Sequence, residues 1–296
     1  MARRKVLLTG GSGFAGRNIL ESGLGGKYEF LSPTHGELDL LDTDAVDAYF
    51  RAKRPDFILH SAVKPGHRNA KDHSALFYSN TRLFFNLARH AGDVERMIIL
   101  GSGGIYDPPH YRPRMAEDYF GAHVPADDHG FSKYVCGKHI EASANILDLR
   151  IFGLFGKYED YAIRFISNMI AKCLFDLPLT IKQDRRFDYL YIDDLMPVLG
   201  HFLETRPRHH AYNVTPDETV SLLDLARRIL AISGKDLPIV VKTPGQGLEY
   251  SGDNARLKAE CTAFAPRPMD QALDELYRWY AGHTHLIRRE ELLHDK

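Results

Sequence analysis

The sequence predicts an α/β fold, a doubly wound parallel sheet followed by a smaller C-terminal lobe. Three observations lead there. The apolar run Val6-Leu7-Leu8 feeds directly into Thr9-Gly10-Gly11-Ser12-Gly13-Phe14-Ala15-Gly16, a strand entering a glycine-rich turn that opens a helix. Short apolar runs then alternate with helical periodicity as far as residue 151, the signature of right-handed βαβ units. After Gly156 the alternation gives way to helices separated by proline-containing loops.

Taken in order, strands are expected at 5–9, 28–31, 57–60, 96–100 and 146–151, and helices at 14–24, 43–53, 74–91 and 129–143. Beyond Gly156 the pattern predicts a helix at 161–174 and an extended piece at 179–182. Tyr189 to Ile192 then leads into Asp193-Asp194, with helices near 194–204, 221–233 and 269–282. The dinucleotide-binding unit is therefore expected over 1–156, receiving roughly 187–204, with 157–296 mainly forming a substrate-binding lobe that closes a cleft over the strand ends. Glycines at 10, 13 and 16 allow a tight turn, close approach to a pyrophosphate and close helix packing. The helix they open presents free N–H groups to an anion.

With 38 basic and 39 acidic side chains in 296 residues the formal net charge is -1, which gives no electrostatic footprint for nucleic acid. Cys136, Cys173 and Cys261 are few, odd in number and far apart, so a reducing compartment is expected and a thiolate zinc site is not. His209-His210 and His283-Thr284-His285 lack carboxylate or thiolate partners at ligand spacing, so no metal is expected. Asp193-Asp194 read as helix caps. The charged tail from Arg288 reads as a solvated face, and no stretch approaches a membrane span; the expected location is the cytoplasm.

Several ordered segments resemble the extended short-chain dehydrogenase/reductase family, whose members include nucleotide-sugar epimerases, dehydratases and reductases built on a Rossmann-type sheet. The matching segments are the turn at 9–16, Asp39-Leu40 within ELDLLD, and His60-Ser61-Ala62-Val63. Asn80, Ser102-Gly103-Gly104-Ile105-Tyr106, Leu149 to Gly156, and Asp253-Asn254-Ala255-Arg256-Leu257 followed by Pro266 and Trp279-Tyr280 complete them. ELDLLDTDAV, Lys64 and GSGGIY look most similar to GDP-fucose synthase-like sugar-nucleotide reductases. The resemblance implies cofactor contacts from Gly10, Gly13, Phe14, Gly16, Arg17, Asp39, Leu40, Ser61, Ala62, Val63, Asn80 and Lys133. It implies catalysis by Ser102 and Lys133, and substrate contacts from Lys64, Gly103, Gly153 and Arg186. Arg186 stands one position from the family's diphosphate-binding arginine, with Phe187 at that place. In the loop 64–68, Lys64 and Arg68 can equally be solvated.

One departure outweighs the matches. The family's catalytic Tyr-x-x-x-Lys is represented by His129-Gly130-Phe131-Ser132-Lys133, so an imidazole stands where the resemblance implies a phenol. A neutral imidazole can accept a proton but must be imidazolium to donate one, a form that Lys133 disfavours and that Asp127 and Asp128 can offset. Tyr134-Val135-Cys136-Gly137-Lys138 spells a rival register. The expected function is an NAD(P)-dependent nucleotide-sugar reductase or epimerase, with His129 exchanging the proton. The alternatives are a catalytically silent cofactor-binding protein or a dehydratase, the latter disfavoured by Gly103-Gly104 where dehydratases of the family carry Asp-Glu. The end of the second strand, Phe30 to His35, offers no carboxylate for a ribose, while Arg17 or His35 can face a 2′-phosphate. NADP is thus favoured over NAD. Leu76, Phe77, Leu83, Phe84 and Leu87 give the helix at 74–91 a wide apolar face, so a homodimer through that helix and the one at 129–143 is expected.

Overall fold

The computed structural model describes residues 3–66, 70 and 72–293. Five strands follow the predicted runs: β1 (Arg4–Thr9), β2 (Tyr28–Leu31), β3 (Phe57–His60), β4 (Arg96–Ser102) and β5 (Ile146–Ile151). They form one parallel sheet in the order Ala211–Val214, β5, β4, β3, β1, β2. The chain steps from β1 outward to β2 and then back across to β3, so a crevice opens beyond the carboxyl ends of β1 and β3. In β3 all four residues are buried, as expected of a strand covered on both faces.

Helices cover each face of this Rossmann-type sheet. On one side Val46 and Phe50 of α2 (Thr43–Lys53), Phe84 and Leu87 of α3 (Leu76–Ala88), and Cys136 and Ile140 of α4 (Asp128–Glu141) share a core with Leu7, Ile58 and Ile99. Against the other side pack Ile19 of α1 (Phe14–Glu21) and Val198, Leu199 and Phe202 of the helix Met196–Glu204. Asp42 caps α2, its Oδ1 accepting from Asp44 N at 2.9 Å and Ala45 N at 3.1 Å, and Arg51 and Lys53 lie in the last turn, opposite in sign to the helix dipole. The first helix stops three residues earlier than its periodicity suggested, because Gly23–Gly26 form a 3-10 turn rich in glycine.

After β5 the chain adds α5 (Phe165–Leu174) and the helices Leu222–Ser233 and Met269–Gly282, whose buried leucines and isoleucines extend the second core. Two strands here escape sequence patterning. Ala211–Val214 is only four residues long yet joins the main sheet beyond β5, and Ile239–Gln246 pairs with Leu179–Asp184 although it is exposed along most of its length and contains Pro244. All three cysteines are free and buried. Among the described residues no helix is long and apolar enough to cross a membrane, and no group of side chains is arranged to hold a metal ion.

Candidate active site

The glycine turn is fixed by its own backbone. Gly10 has φ +74°, and a Cβ there would lie 2.8 Å from Ala62 N; a Cβ at Gly16 would lie 2.2 Å from Gly10 O. Only glycine fits either position. Gly13 differs: its outward side meets nothing nearer than Gly10 O at 3.3 Å, so the space beyond it is open. Gly13 is the N-cap of α1, no side chain caps that helix and its first turn has no acid, which leaves amide donors for an anion. Thr9 Oγ1 pairs with His60 Nδ1 at 2.8 Å and accepts from Ala62 N at 3.3 Å, tying the ends of β1 and β3 together.

A cavity of about 400 Å³ opens from this turn, lined by Gly10, Ser12, Ser32 to His35, Asp39, Leu40 and Ala62 to Lys64. It brings Gly10, Asp39, Leu40, Ala62 and Val63 together. Asp39 Oδ1 accepts from Leu41 N at 2.9 Å, holding the loop that forms one wall. Phe14 instead packs against the core, and the Arg17 guanidinium lies over the Tyr158 ring at 4.4 Å, whereas His35 lines the cavity. Ser61 continues the strand end, its N–H donating to Thr9 O. Asn80 is buried and clamps a backbone, accepting from Lys64 N at 2.7 Å and donating to Lys64 O at 3.2 Å; it shapes the loop after β3.

At the other end of the cleft, β4 ends on Ser102 and the first turn of α4 carries His129. A Cβ on Gly104 would sit 3.4 Å from Ser102 Oγ and 3.8 Å from His129 Cδ2, so both side chains face one small space. One turn further along α4, Lys133 lines a small cavity of about 20 Å³ together with His60, Asn80, Ser102, Cys136 and Asp148. Lys133 makes no ion pair among the described residues, because Asp148 is taken by Arg150 Nε at 3.0 Å. Its charge acts on its neighbours instead. Burial, reinforced by Lys133, pushes His60 down to about 3. His129 is held below the ordinary histidine value first by burial and then by Lys133; Asp127 opposes the shift, and Arg164 adds to it. Asp127 chiefly caps the helix, accepting from Gly130 N at 2.9 Å, so the offset expected of it does not prevail.

The rival register is turned away from this site. Tyr134 packs on Phe120, while Lys138 lies over the Phe120 ring at 4.5 Å and pairs with Glu141 at the surface. The four expected substrate contacts have partners of their own in the structure. Lys64 Nζ is bound to Asp72 Oδ2 and Ser74 O, both at 2.6 Å. Arg186 donates to Thr219 Oγ1 at 2.9 Å and Thr219 O at 2.5 Å, a pair of local partners that occupies its fork. Gly153 is a packing glycine, a Cβ there meeting Tyr189 Cδ1 at 2.8 Å, and Gly103 is buried against Phe152 and Tyr250. Asp194 is not a cap; it accepts from Arg267 N at 3.0 Å and Arg267 Nε at 2.8 Å. Arg68 lies outside the described residues.

Sequence reasoning overlooked three side chains. Arg164, just before α5, and Arg185 both act electrostatically on Tyr189, and neither forms an ion pair among the described residues. Arg164 also acts electrostatically on His129 and Arg185 on Tyr111. The Tyr250 hydroxyl closes on the residue after Ser102, a Cβ at Gly103 lying 2.6 Å from it. Tyr106, beside the serine motif, is structural: it donates to Asn213 Oδ1 at 2.7 Å and accepts from Arg150 at 2.9 Å.

Residues 6–215 match the NAD dependent epimerase/dehydratase family. The chain belongs to this family, a branch of the extended short-chain dehydrogenases/reductases. It is similar to GDP-L-colitose synthase of Yersinia pseudotuberculosis, 35% identical over 106 residues, a segment spanning 34% of either chain. A probable GDP-L-fucose synthase 1 of Oryza sativa is 31% identical over 305 residues, covering 93% of this chain and 92% of that one. The fold superposes on the GDP-mannoheptose C4 reductase of Campylobacter jejuni with NADP bound, with TM-score 0.80 and 19% identity over 95% of this chain and 99% of the other. The family includes nucleotide-sugar reductases and epimerases, and this chain carries His129 in the first turn of α4.

Proposed function

We propose that the protein is an NAD(P)-dependent reductase or epimerase acting at a ring carbon of a nucleotide-linked sugar. The observation that carries this reading is the convergence of Ser102 and His129 on one space, with Lys133 a turn away, at the end of a cleft that begins in an uncapped helix and a glycine cradle. The cradle fits a dinucleotide pyrophosphate, since its glycines leave room for one and its helix supplies donors. A bound nicotinamide would supply or accept the hydride. Gly13, the α1 amides, Ala62 and Val63 would hold it, and Lys133 would meet its ribose.

Ser102 then donates to the sugar carbonyl oxygen, and His129 exchanges the proton there. Because His129 is held low, it is mostly neutral at neutral pH, suited to accept a proton from a sugar hydroxyl; it donates one only after acidification. Arg164 and Arg185, both of which act electrostatically on Tyr189, rather than Arg186, would meet the substrate's diphosphate. NADP is favoured over NAD because Ser32 to His35 offer no carboxylate at the end of β2, and His35 lines the cavity.

A homodimer rests on what α3 and α4 leave uncovered. Leu76, Phe84 and Leu87 are buried within the subunit, but Tyr78 and Phe131 are exposed and Phe77 stacks on Phe131 at 5.0 Å. A dimeric mass by light scattering is expected. To test the function, GDP-, UDP-, CDP- and dTDP-linked keto-sugars are offered with NADPH or NADH and oxidation is followed by absorbance. Turnover of one class is expected, and binding of both ligands without turnover of any would identify a silent site.

A further inference from the structure

We propose that Asp148 is a positioning residue for Lys133, holding its ammonium through one buried water in the small cavity between α4 and the sheet. The inference rests on the reading of Lys133 as the cation that meets the dinucleotide's ribose. Lys133, Asp148 and His60 all line that cavity, whose volume of about 20 Å³ is room for a single water. Lys133 and Asp148 form no direct ion pair, because the carboxylate is drawn to Arg150.

Asp148 stands in β5, a strand whose six residues are all buried, where each carboxylate oxygen needs a partner. Its Oδ2 accepts from Arg150 Nε at 3.0 Å, and no hydrogen bond reaches Oδ1 among the described residues. Oδ1 lies over Gly101, another wall of the cavity, in space that only glycine leaves open: a Cβ there would come within 1.9 Å of it. His60 supplies a third polar wall. Thr9 Oγ1 accepts from Ala62 N at 3.3 Å and directs its own proton to His60 Nδ1 at 2.8 Å, so the imidazole, neutral above about pH 3, carries its proton on Nε2. A water that accepts from His60 Nε2 and Lys133 Nζ and donates to Asp148 Oδ1 makes the three bonds usual for a buried water. Cys136 is pushed up to about 12 by burial and stays a thiol, so Asp148 is the one anion among the residues lining the cavity. One carboxylate thus serves two cations, Arg150 directly and Lys133 across the water. An ammonium has three protons to give; one turned inward leaves two for the ribose hydroxyls.

The test needs no sugar. A crystal structure of the wild type at atomic resolution should show one water within about 3.2 Å of Asp148 Oδ1, Lys133 Nζ and His60 Nε2. In calorimetry, Asp148→Asn should weaken NADPH binding about tenfold, the worth of one charge-assisted hydrogen bond. The loss should vanish in the Lys133→Met background, whereas a merely structural role through Arg150 would weaken binding equally in both. Gly101→Ala keeps both charges but takes the place of Oδ1, and should reproduce the loss. A dry cavity, a carboxylate in direct contact with the ammonium, full NADPH affinity in Asp148→Asn, or an additive loss in the double variant would each overturn the proposal. Should Asp148→Asn fail to fold, the wild-type water and Gly101→Ala decide. Should the wild type bind no dinucleotide, the reading of the cleft fails, and the water alone decides whether Asp148 holds Lys133.

Discussion

The two ends of the cleft are built on different principles. The dinucleotide end is local in sequence: the turn at 10–16, the wall at 32–41 and the strand end at 62–64 supply its lining, and backbone contacts of 2.2 and 2.8 Å enforce its glycines. The end proposed for the sugar draws on Ser102 at the end of a strand, His129 and Lys133 on a helix, and, in the proposal, Arg164 and Arg185 from two separate later segments. Backbone geometry tolerates little change at the first end, while the second depends on the identity of a few side chains.

The sharpest way to break this contrast is at Gly16 and Gly13. Gly16→Val should destabilise the fold by several kcal/mol, about the cost of forcing a side chain into backbone. Gly13→Val should leave thermal stability nearly unchanged, yet weaken NADPH binding by about a hundredfold or more in calorimetry, since the valine would fill only the space kept for the pyrophosphate. Loss of fold in both would mean that the cradle serves packing alone.

A second prediction concerns the charge that joins the two ends. His60 protonates in the unfolded chain below the ordinary histidine value of about 6.5, but in the folded chain only near 3. The unfolded state therefore binds more protons in that window, and stability present above pH 6.5 is lost progressively as pH falls toward 3. Denaturant unfolding between pH 7 and 4 should show a fall of a few kcal/mol, on the order of one pKa unit's worth per pH unit, and His60→Asn should flatten it. An unchanged slope in the variant would remove His60 as its source.

The smallest effect separates adjacent arginines. Arg185→Ala should raise KM for the nucleotide sugar about tenfold, with a smaller rise for Arg164→Ala, while Arg186→Ala should change it less than about threefold because its fork is already filled by Thr219. The reverse order would restore Arg186 as the diphosphate ligand.

The legibility of the chain follows the same division. β1 to β5 and α2 to α4 emerge where predicted because buried parallel strands are continuous apolar runs and amphipathic helices carry their period in the sequence. Ala211–Val214 escapes because four residues hold too little pattern, and Ile239–Gln246 because it is mostly exposed. Ser102, His129 and Lys133 are legible by motif. Arg185 and Arg186 look alike in sequence, and only the fold separates them: Arg186 is engaged by Thr219 across a strand pair, while Arg185 lies over the Phe187 ring and forms no ion pair among the described residues. Tyr250 has no local signal, although Gly103 beside the serine marks a place where another group must approach.

The most direct measurement is the pH dependence of kcat for keto-sugar reduction in the wild type, His129→Ala and His129→Tyr. Burial and Lys133 oppose the imidazolium, so the wild-type rate should climb as pH falls through and below the ordinary histidine value of about 6.5. His129→Ala should lose the climb and most of the rate, and His129→Tyr should move the optimum upward. A wild-type rate that is flat across this range and survives in His129→Ala would contradict the assignment of the proton to His129.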